Sequence, residues 1–221
     1  MCIRDSTQTG KMTVEDLMEA EKCALPGYGT CSMLGTANTM SCLAEVLGMS
    51  LPGCGLAHAV SAKKRRIAKQ SGKRVVEMIG EGLTPRKIMT RECLRNGIAA
   101  SMAMGASTNS TLHLPAIAHE ASISITLRDF DEISRQVPYL CNIKPSGKYP
   151  LSVLDEAGGI PAVLKAIEPK LDTGVLTVTG HTLGENLAGV PLVENDVIYS
   201  CLLYTSPSPR DRTRSRMPSS A

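Results

Sequence analysis

Gly29-Thr-Cys-Ser-Met-Leu-Gly-Thr-Ala-Asn-Thr-Met40 sets a cysteine in a loop and starts a helix after it. Upstream the loop opens as Leu25-Pro-Gly-Tyr-Gly-Thr-Cys31, where proline and glycine disfavour regular structure. From about residue 36 to residue 47, Ala37, Met40, Leu43, Ala44 and Leu47 recur at helical spacing, and Gly48 stands where a glycine ends a helix. Cys31 thus ends a loop just ahead of a helix N-terminus. That placement exposes the sulfur, and a helix dipole favours the thiolate that binds metal or attacks an electrophile.

Outward from this stretch, helical and strand-like segments alternate. Residues 13–21 begin with a capping Thr13 and carry Asp16 three positions on, where a capping box has Glu or Gln. Residues 57–79 read as an amphipathic helix or a pair broken near Gly72, and Thr84-Pro85 is an N-cap followed by proline at the first helical position. Helices are predicted over 91–104, 112–121, 129–135 and 160–167. Residues 122–127 alternate like a strand, and Val175-Leu-Thr-Val-Thr179 is a β-branched strand ending in Gly180. This order predicts an α/β domain, with helices packed around a partly parallel sheet.

The 221 residues are 43% hydrophobic but only 3% aromatic, so the core is expected from Ala, Val, Ile, Leu and Met. No run reaches the roughly 18 uncharged apolar residues of a membrane span, and no basic segment followed by an apolar one opens the chain. A soluble, cytoplasmic chain is expected. The net charge of +3 is carried by Arg210, Arg212, Arg214 and Arg216 against Asp211, which leaves residues 7–199 neutral. No nucleic-acid partner is therefore expected. The tail 199–221 lacks any helical or strand period and reads as a disordered arm; it and Met1-Cys-Ile-Arg-Asp-Ser6 resemble translated sequencing-adapter read-through. The expected organisation is a non-native or disordered leader at 1–10, a partial α/β domain at 11–198, and a non-native disordered tail at 199–221, inside a natural protein that continues at both ends.

The eight cysteines contain no Cys-x-x-Cys pair, so zinc-ribbon and ferredoxin-like sites are unsupported. Cys42 and Cys93 fall among helical apolar positions and read as buried small hydrophobes. The turn at Gly105-Ala-Ser-Thr-Asn109 places Ser107, Thr108 and Asn109 before a helix, where they serve either as an anion site or as plain caps. His58, His113, His119 and His181 show no metal-binding spacing and read as capping or packed residues. Lys63 to Arg66 lacks interleaved aromatics and reads as a solvated helix face. No dinucleotide fingerprint or phosphate-binding loop of the Walker type occurs.

The stretch around Cys31 resembles the cysteine loop of the dihydroxy-acid dehydratase and phosphogluconate dehydratase family. The resemblance continues in family order through Leu47-Gly-Met-Ser-Leu-Pro-Gly53, Met104-Gly-Ala-Ser-Thr-Asn109, Leu112-His-Leu114, Asp129-Phe-Asp131, Lys144-Pro-Ser-Gly-Lys-Tyr149, Gly158-Gly-Ile-Pro161 and Leu176-Thr-Val-Thr-Gly180. It implies an N-terminal dehydratase domain of a hydro-lyase that turns 2,3-dihydroxy carboxylates into 2-oxo acids. It also implies an iron–sulfur cluster, 2Fe-2S or 4Fe-4S, held by three cysteines, with Mg2+ beside it and at least a homodimer. By position Cys31 resembles the third cluster cysteine, as metal ligand and cofactor-binding residue. The upstream Cys-Asp-Lys block, the Mg2+ ligands and the catalytic serine have no matching positions, so no catalytic residue is assigned. Cys23 and Cys54 match no ligand position.

Two departures bear on the substrate. Branched-chain biosynthetic members usually read Cys-Gly-Gly-Met after the cysteine, whereas Cys31 is followed by Ser32, Met33, Leu34 and Gly35, more like sugar-acid dehydratases. Ala37-Asn-Thr-Met40 and Lys144 to Tyr149 resemble the dihydroxy-acid enzymes instead. The small-molecule partner is thus a dihydroxy acid, with a sugar acid as the alternative. A cluster-free module that binds an anion at Ser107 to Asn109 is the alternative of another class.

Overall fold

A computed structural model describes residues 3–24, 28–192 and 195–199. They fall into two compact units that divide between Cys31 and Ser32. The first contains α1 (Ile3–Gln8) and α2 (Val14–Ala24). α1 lies within the stretch expected as a leader. α2 starts as its sequence predicts: Asp16 Oδ2 accepts from Thr13 N at 3.1 Å and Thr13 Oγ1 at 2.8 Å, while Asp16 N donates to Thr13 Oγ1 at 3.0 Å. Aspartate closes the capping box as glutamate does elsewhere. The expected tail lies outside the described residues apart from Tyr199.

The second unit is helical. Its elements are α3 (Thr36–Val46), α4 (Ala62–Glu81), α5 (Pro85–Ile88), α6 (Arg91–Met104), α7 (Ser110–Glu120), α8 (Leu127–Ser134), α9 (Leu151–Glu156), α10 (Gly159–Ala166), a 3₁₀ turn (Glu168–Lys170) and α11 (Leu183–Leu187). α3, α7, α8 and α10 all pack against α6. Along α6, Leu94, Ile98, Ala100 and Ala103 are wholly buried, and Leu43, Leu114, Phe130 and Val163 close over them from the other helices. Gly97 explains the close approach: a Cβ there would sit 3.1 Å from Leu47 Cδ2 and 3.5 Å from Leu114 Cδ2. The core is aliphatic as expected, with Phe130 the sole phenylalanine in it.

The expected partly parallel sheet is not formed among the described residues. Only isolated bridges occur, Cys141 with Ile198, Ile143 with Tyr149, and Leu176 with Thr182. Both strand-like segments direct their backbone groups elsewhere. At 122–126, Ser122 takes a positive φ of 61° and Ile123 N donates to Ala118 O, ending α7, while Thr126 becomes the cap of α8. At 175–179, Thr177 N bonds His181 O and Val178 N bonds Gly48 O, so the β-branched run folds onto its own turn and the end of α3. Gly48, at φ 66°, lies so close that a Cβ there would meet Thr177 Cβ at 2.9 Å.

α4 runs unbroken through Gly72, from the Ser61 cap, whose hydroxyl accepts from Lys64 N, to the left-handed Gly82. No described helix is long and apolar enough to cross a membrane.

Candidate cofactor site

Cys31 is exposed. Residues 28–30 before it are exposed bends, so its thiol stands in the kind of loop expected of it. Four residues separate it in sequence from Thr36, the first residue of α3. A helix dipole acts within the first turn, so accessibility, more than the dipole, is what qualifies this sulfur as a ligand.

Beyond Cys31 the backbone is latched on both sides. Leu151 N donates to Ser32 O at 2.8 Å, Leu34 N donates to Lys144 O at 2.8 Å, and Asn38 Nδ2 reaches back to Met33 O at 2.7 Å. The Leu34 bond ties this stretch to the Lys144-Pro-Ser-Gly-Lys-Tyr149 segment, the Ser32 bond ties it to the start of α9 (Leu151–Glu156), and the Asn38 bond ties it to α3. That segment is itself closed: Tyr149 N donates to Asn142 O, Gly147 N to Ile143 O, and Lys148 N to Asn142 Oδ1. Gly147 is packed so tightly against Asn142 and Ile143 that no side chain fits there.

The start of α3 meets the turn before α7. Asn109 Nδ2 donates to Thr36 Oγ1 at 2.5 Å, Thr36 Oγ1 lies 3.4 Å from Ser107 Oγ, and Ser107 N donates to Thr39 Oγ1 at 3.0 Å. Asn109 makes no side-chain cap on α7. Ser107 Oγ accepts from Asn109 N at 3.3 Å ahead of α7, and the Ser107 amide is taken by Thr39 and so is closed to an anion; the turn also clamps α3 and α7 together. Thr36 and Thr39 escaped the sequence reading, although their spacing of three places both on one face at the helix start.

Three of the other described cysteine side chains are unsuited to ligation. Cys42, Cys93 and Cys141 are wholly buried. Burial pushes the Cys42 and Cys93 thiols up to about 12 and raises that of Cys141 as well, so all three stay protonated. Cys93 Sγ donates to Leu47 O at 3.3 Å, which fits the buried-hydrophobe reading. Cys54 is half-buried, with Lys64 Nζ 3.4 Å from its sulfur. The histidines His58, His113, His119 and His181 are exposed rather than packed.

Glu45 is a polar feature that the sequence did not reveal. It is buried in α3, and its two carboxylate oxygens accept from Gly53 N and Gly55 N, each at 2.7 Å. Burial raises its pKa against the lowering by those amides and by Lys63. Lys63 in turn pairs with Asp155 at 2.6 Å. Ser41 Oγ adds a bond to Gly55 O, so the Leu47-Gly-Met-Ser-Leu-Pro-Gly53 segment and Gly55 are held onto α3 by side chains of that helix.

Among the described residues, no group of three or more His, Cys, Asp or Glu gathers where it could hold a metal ion. One thiol among the described cysteine side chains, that of Cys31, is exposed and of a chemistry that could serve as a single ligand. Residues 2–186 match the family described as Dihydroxy-acid/6-phosphogluconate dehydratase N-terminal. The chain is 50% identical over 194 residues to a dihydroxy-acid dehydratase of Methanothermobacter thermautotrophicus, covering 87% of this chain and 35% of that protein. It is 53% identical over 174 residues to that of Methanothrix thermoacetophila, covering 79% and 32%, and 46% identical over 195 residues to that of Moorella thermoacetica, covering 87% and 35%. The chain thus spans about a third of the length of these curated relatives. By its match to the N-terminal region, the chain belongs to the dihydroxy-acid/6-phosphogluconate dehydratase family.

Proposed function

We propose that these residues form part of an iron–sulfur-dependent hydro-lyase that dehydrates 2,3-dihydroxy carboxylic acids to 2-oxo acids, acting as a dihydroxy-acid dehydratase of branched-chain amino-acid biosynthesis. The observation that carries the reading is Cys31: it lies in the loop where the ordered family blocks begin, and it alone is exposed among the described cysteine side chains. Its thiolate would hold a 2Fe-2S or 4Fe-4S cluster together with two cysteines beyond the described residues, and Mg2+ would be held by ligands outside this chain. When bound, the cluster supplies Lewis acidity for departure of the 3-hydroxyl group. The contribution of these residues is to present the thiol and to hold the loop after it, through the latches to Lys144 and Leu151 and the Thr36–Ser107–Asn109 clamp. No residue of the chain is assigned as the base at C2. The partly parallel sheet of such a domain would need strands beyond those described. A homodimer or larger homo-oligomer in the cytoplasm is the setting this reading implies.

The test is anaerobic reconstitution of the protein at the length of its relatives. Iron, sulfide and visible absorption should appear, and Cys31→Ala should abolish them; an unchanged spectrum in that variant would exclude Cys31 as a ligand. A sugar-acid substrate is the second reading, favoured by Ser32-Met-Leu-Gly35 after the cysteine. Comparing kcat/KM for a branched 2,3-dihydroxy acid and for an aldonate separates the two, and a preference for the aldonate would overturn the first.

A further inference from the structure

Among the described cysteines of the second unit, Cys54 alone is not wholly buried. The turn that carries it is pinned from several sides. Gly53 N and Gly55 N, on either side of it, both bond the Glu45 carboxylate; Gly55 O accepts from Ser41 Oγ, and Cys54 N donates to Leu51 O at 3.1 Å. α4 then sets a second nucleophile against the sulfur. The Ser61 cap fixes the first turn of that helix, and from it Lys64 Nζ donates to Cys54 O at 2.8 Å while lying 3.4 Å from Cys54 Sγ. The carbonyl bond thus holds the nitrogen beside the sulfur, and about 3–3.5 Å is the separation of two atoms poised to react. Cys42, Cys93 and Cys141 are shut in the core. Among the described residues of this unit, the partner in reach of Cys54 is therefore an amine and not a thiol.

We propose that Cys54 and Lys64 form a reversible oxidation site, in which hydrogen peroxide couples the thiol to the amine through a sulfur–nitrogen bond. In the first step the sulfur attacks one peroxide oxygen and the O–O bond breaks. The sulfur is oxidised by two electrons to a sulfenic acid, and the other oxygen leaves as water. Lys64, having given one proton to solvent, then attacks the same sulfur. The S–N bond forms as the S–O bond breaks, and the departing hydroxide leaves as water with a proton from the amine. Sulfenic acids condense with nitrogen in this way. The sum is one thiol, one amine and one hydrogen peroxide giving one sulfenamide and two waters. An added dithiol reverses it: one sulfur displaces the amine from Cys54, and the other closes the reagent's own disulfide and frees the Cys54 thiol. Capture by Lys64 keeps the sulfur from the irreversible sulfinic state and locks the turn at Cys54 onto α4.

The 221-residue chain, treated with excess hydrogen peroxide, alkylated, digested and sequenced by tandem mass spectrometry, tests this. A link between Cys54 and Lys64, lighter by about 2 Da for the two hydrogens lost, should be the main product at Cys54, and dithiothreitol should remove it. Lys64→Arg keeps the cation but offers no amine that can shed a proton. In that variant Cys54 should instead gain about 32 Da as sulfinic acid, with unchanged far-UV circular dichroism. Lys63→Arg is the second control: Lys63 pairs with Asp155, so its replacement should leave the link intact. Equal sulfinic acid at Cys54 in wild type and Lys64→Arg would overturn the inference. So would a Cys54 found mainly in a disulfide, a link lost in Lys63→Arg, or a Cys54 that stays reduced while the chain is folded.

Discussion

Glu45 shows how much one residue can organise. A carboxylate inside an aliphatic helix is costly unless its oxygens are satisfied, and here Gly53 N and Gly55 N satisfy both. Glu45→Ala would strand two amide donors and should cost about 3 kcal/mol, whereas Glu45→Gln, which keeps one acceptor oxygen, should cost about 1 kcal/mol. The pH dependence follows from the raised pKa. A group whose folded pKa lies above its unfolded value adds stability that is fully present below the unfolded value and is lost as pH climbs through the folded one. The stability difference between wild type and Glu45→Gln should therefore shrink as pH rises from the ordinary carboxylate range upward. Chemical denaturation across that range measures it, and a difference independent of pH would show that Glu45 keeps an ordinary pKa.

At the scale of elements, Asp129 joins two helices. Its Oδ2 accepts from Thr126 N and Oγ1 at 2.8 and 3.0 Å, starting α8, while its Oδ1 receives Arg91 and Arg95 of α6 at 2.6 and 3.1 Å. Burial alone would raise its pKa, but the Thr126 bonds and the two arginines together outweigh burial and lower it. Asp129→Asn should cost about 2 kcal/mol, the range for bonds to a charged group. Because the folded pKa is depressed, that stability is present above the ordinary aspartate value and fades as pH falls toward the lowered one. An equal cost for Asp129→Asn at neutral and at strongly acid pH would contradict this. The same elements show what the sequence could disclose. α2 is legible from its local cap, and α3, α6 and α7 from local apolar periods, whereas α8 starts at Leu127, two residues ahead of the expected start, on the Thr126–Asp129 box; the Thr182–Glu185 capping box that starts α11 is equally local. The strands were misread because alternation records which side chains are apolar, whereas the hydrogen-bond partners at 122–126 and 175–179 are set by distant backbone such as Gly48 O. Glu45 was hidden for a related reason: its partners are the amides of two glycines, which leave no side-chain signature eight and ten residues away.

At the scale of the whole molecule, folding and function make different demands on the chain. The described residues of the second unit supply a continuous aliphatic core around α6, and burial of that kind is enough to order a domain. The dehydration proposed above asks for more, because a cluster needs several thiolates and removal of a C2 proton needs a base, and the described residues gather no group of three metal-binding side chains. The 221-residue chain should therefore unfold cooperatively in urea and still give no dehydratase turnover after anaerobic incubation with iron and sulfide. Release of 2-oxo acid by the chain alone would refute this. The protein extended to the length of its relatives should recover turnover, and Cys31→Ala within it should remove both absorption and activity while leaving the urea midpoint nearly unchanged, because an exposed thiol contributes little to the core. A large fall in that midpoint would mean that Cys31 holds the fold rather than the cofactor.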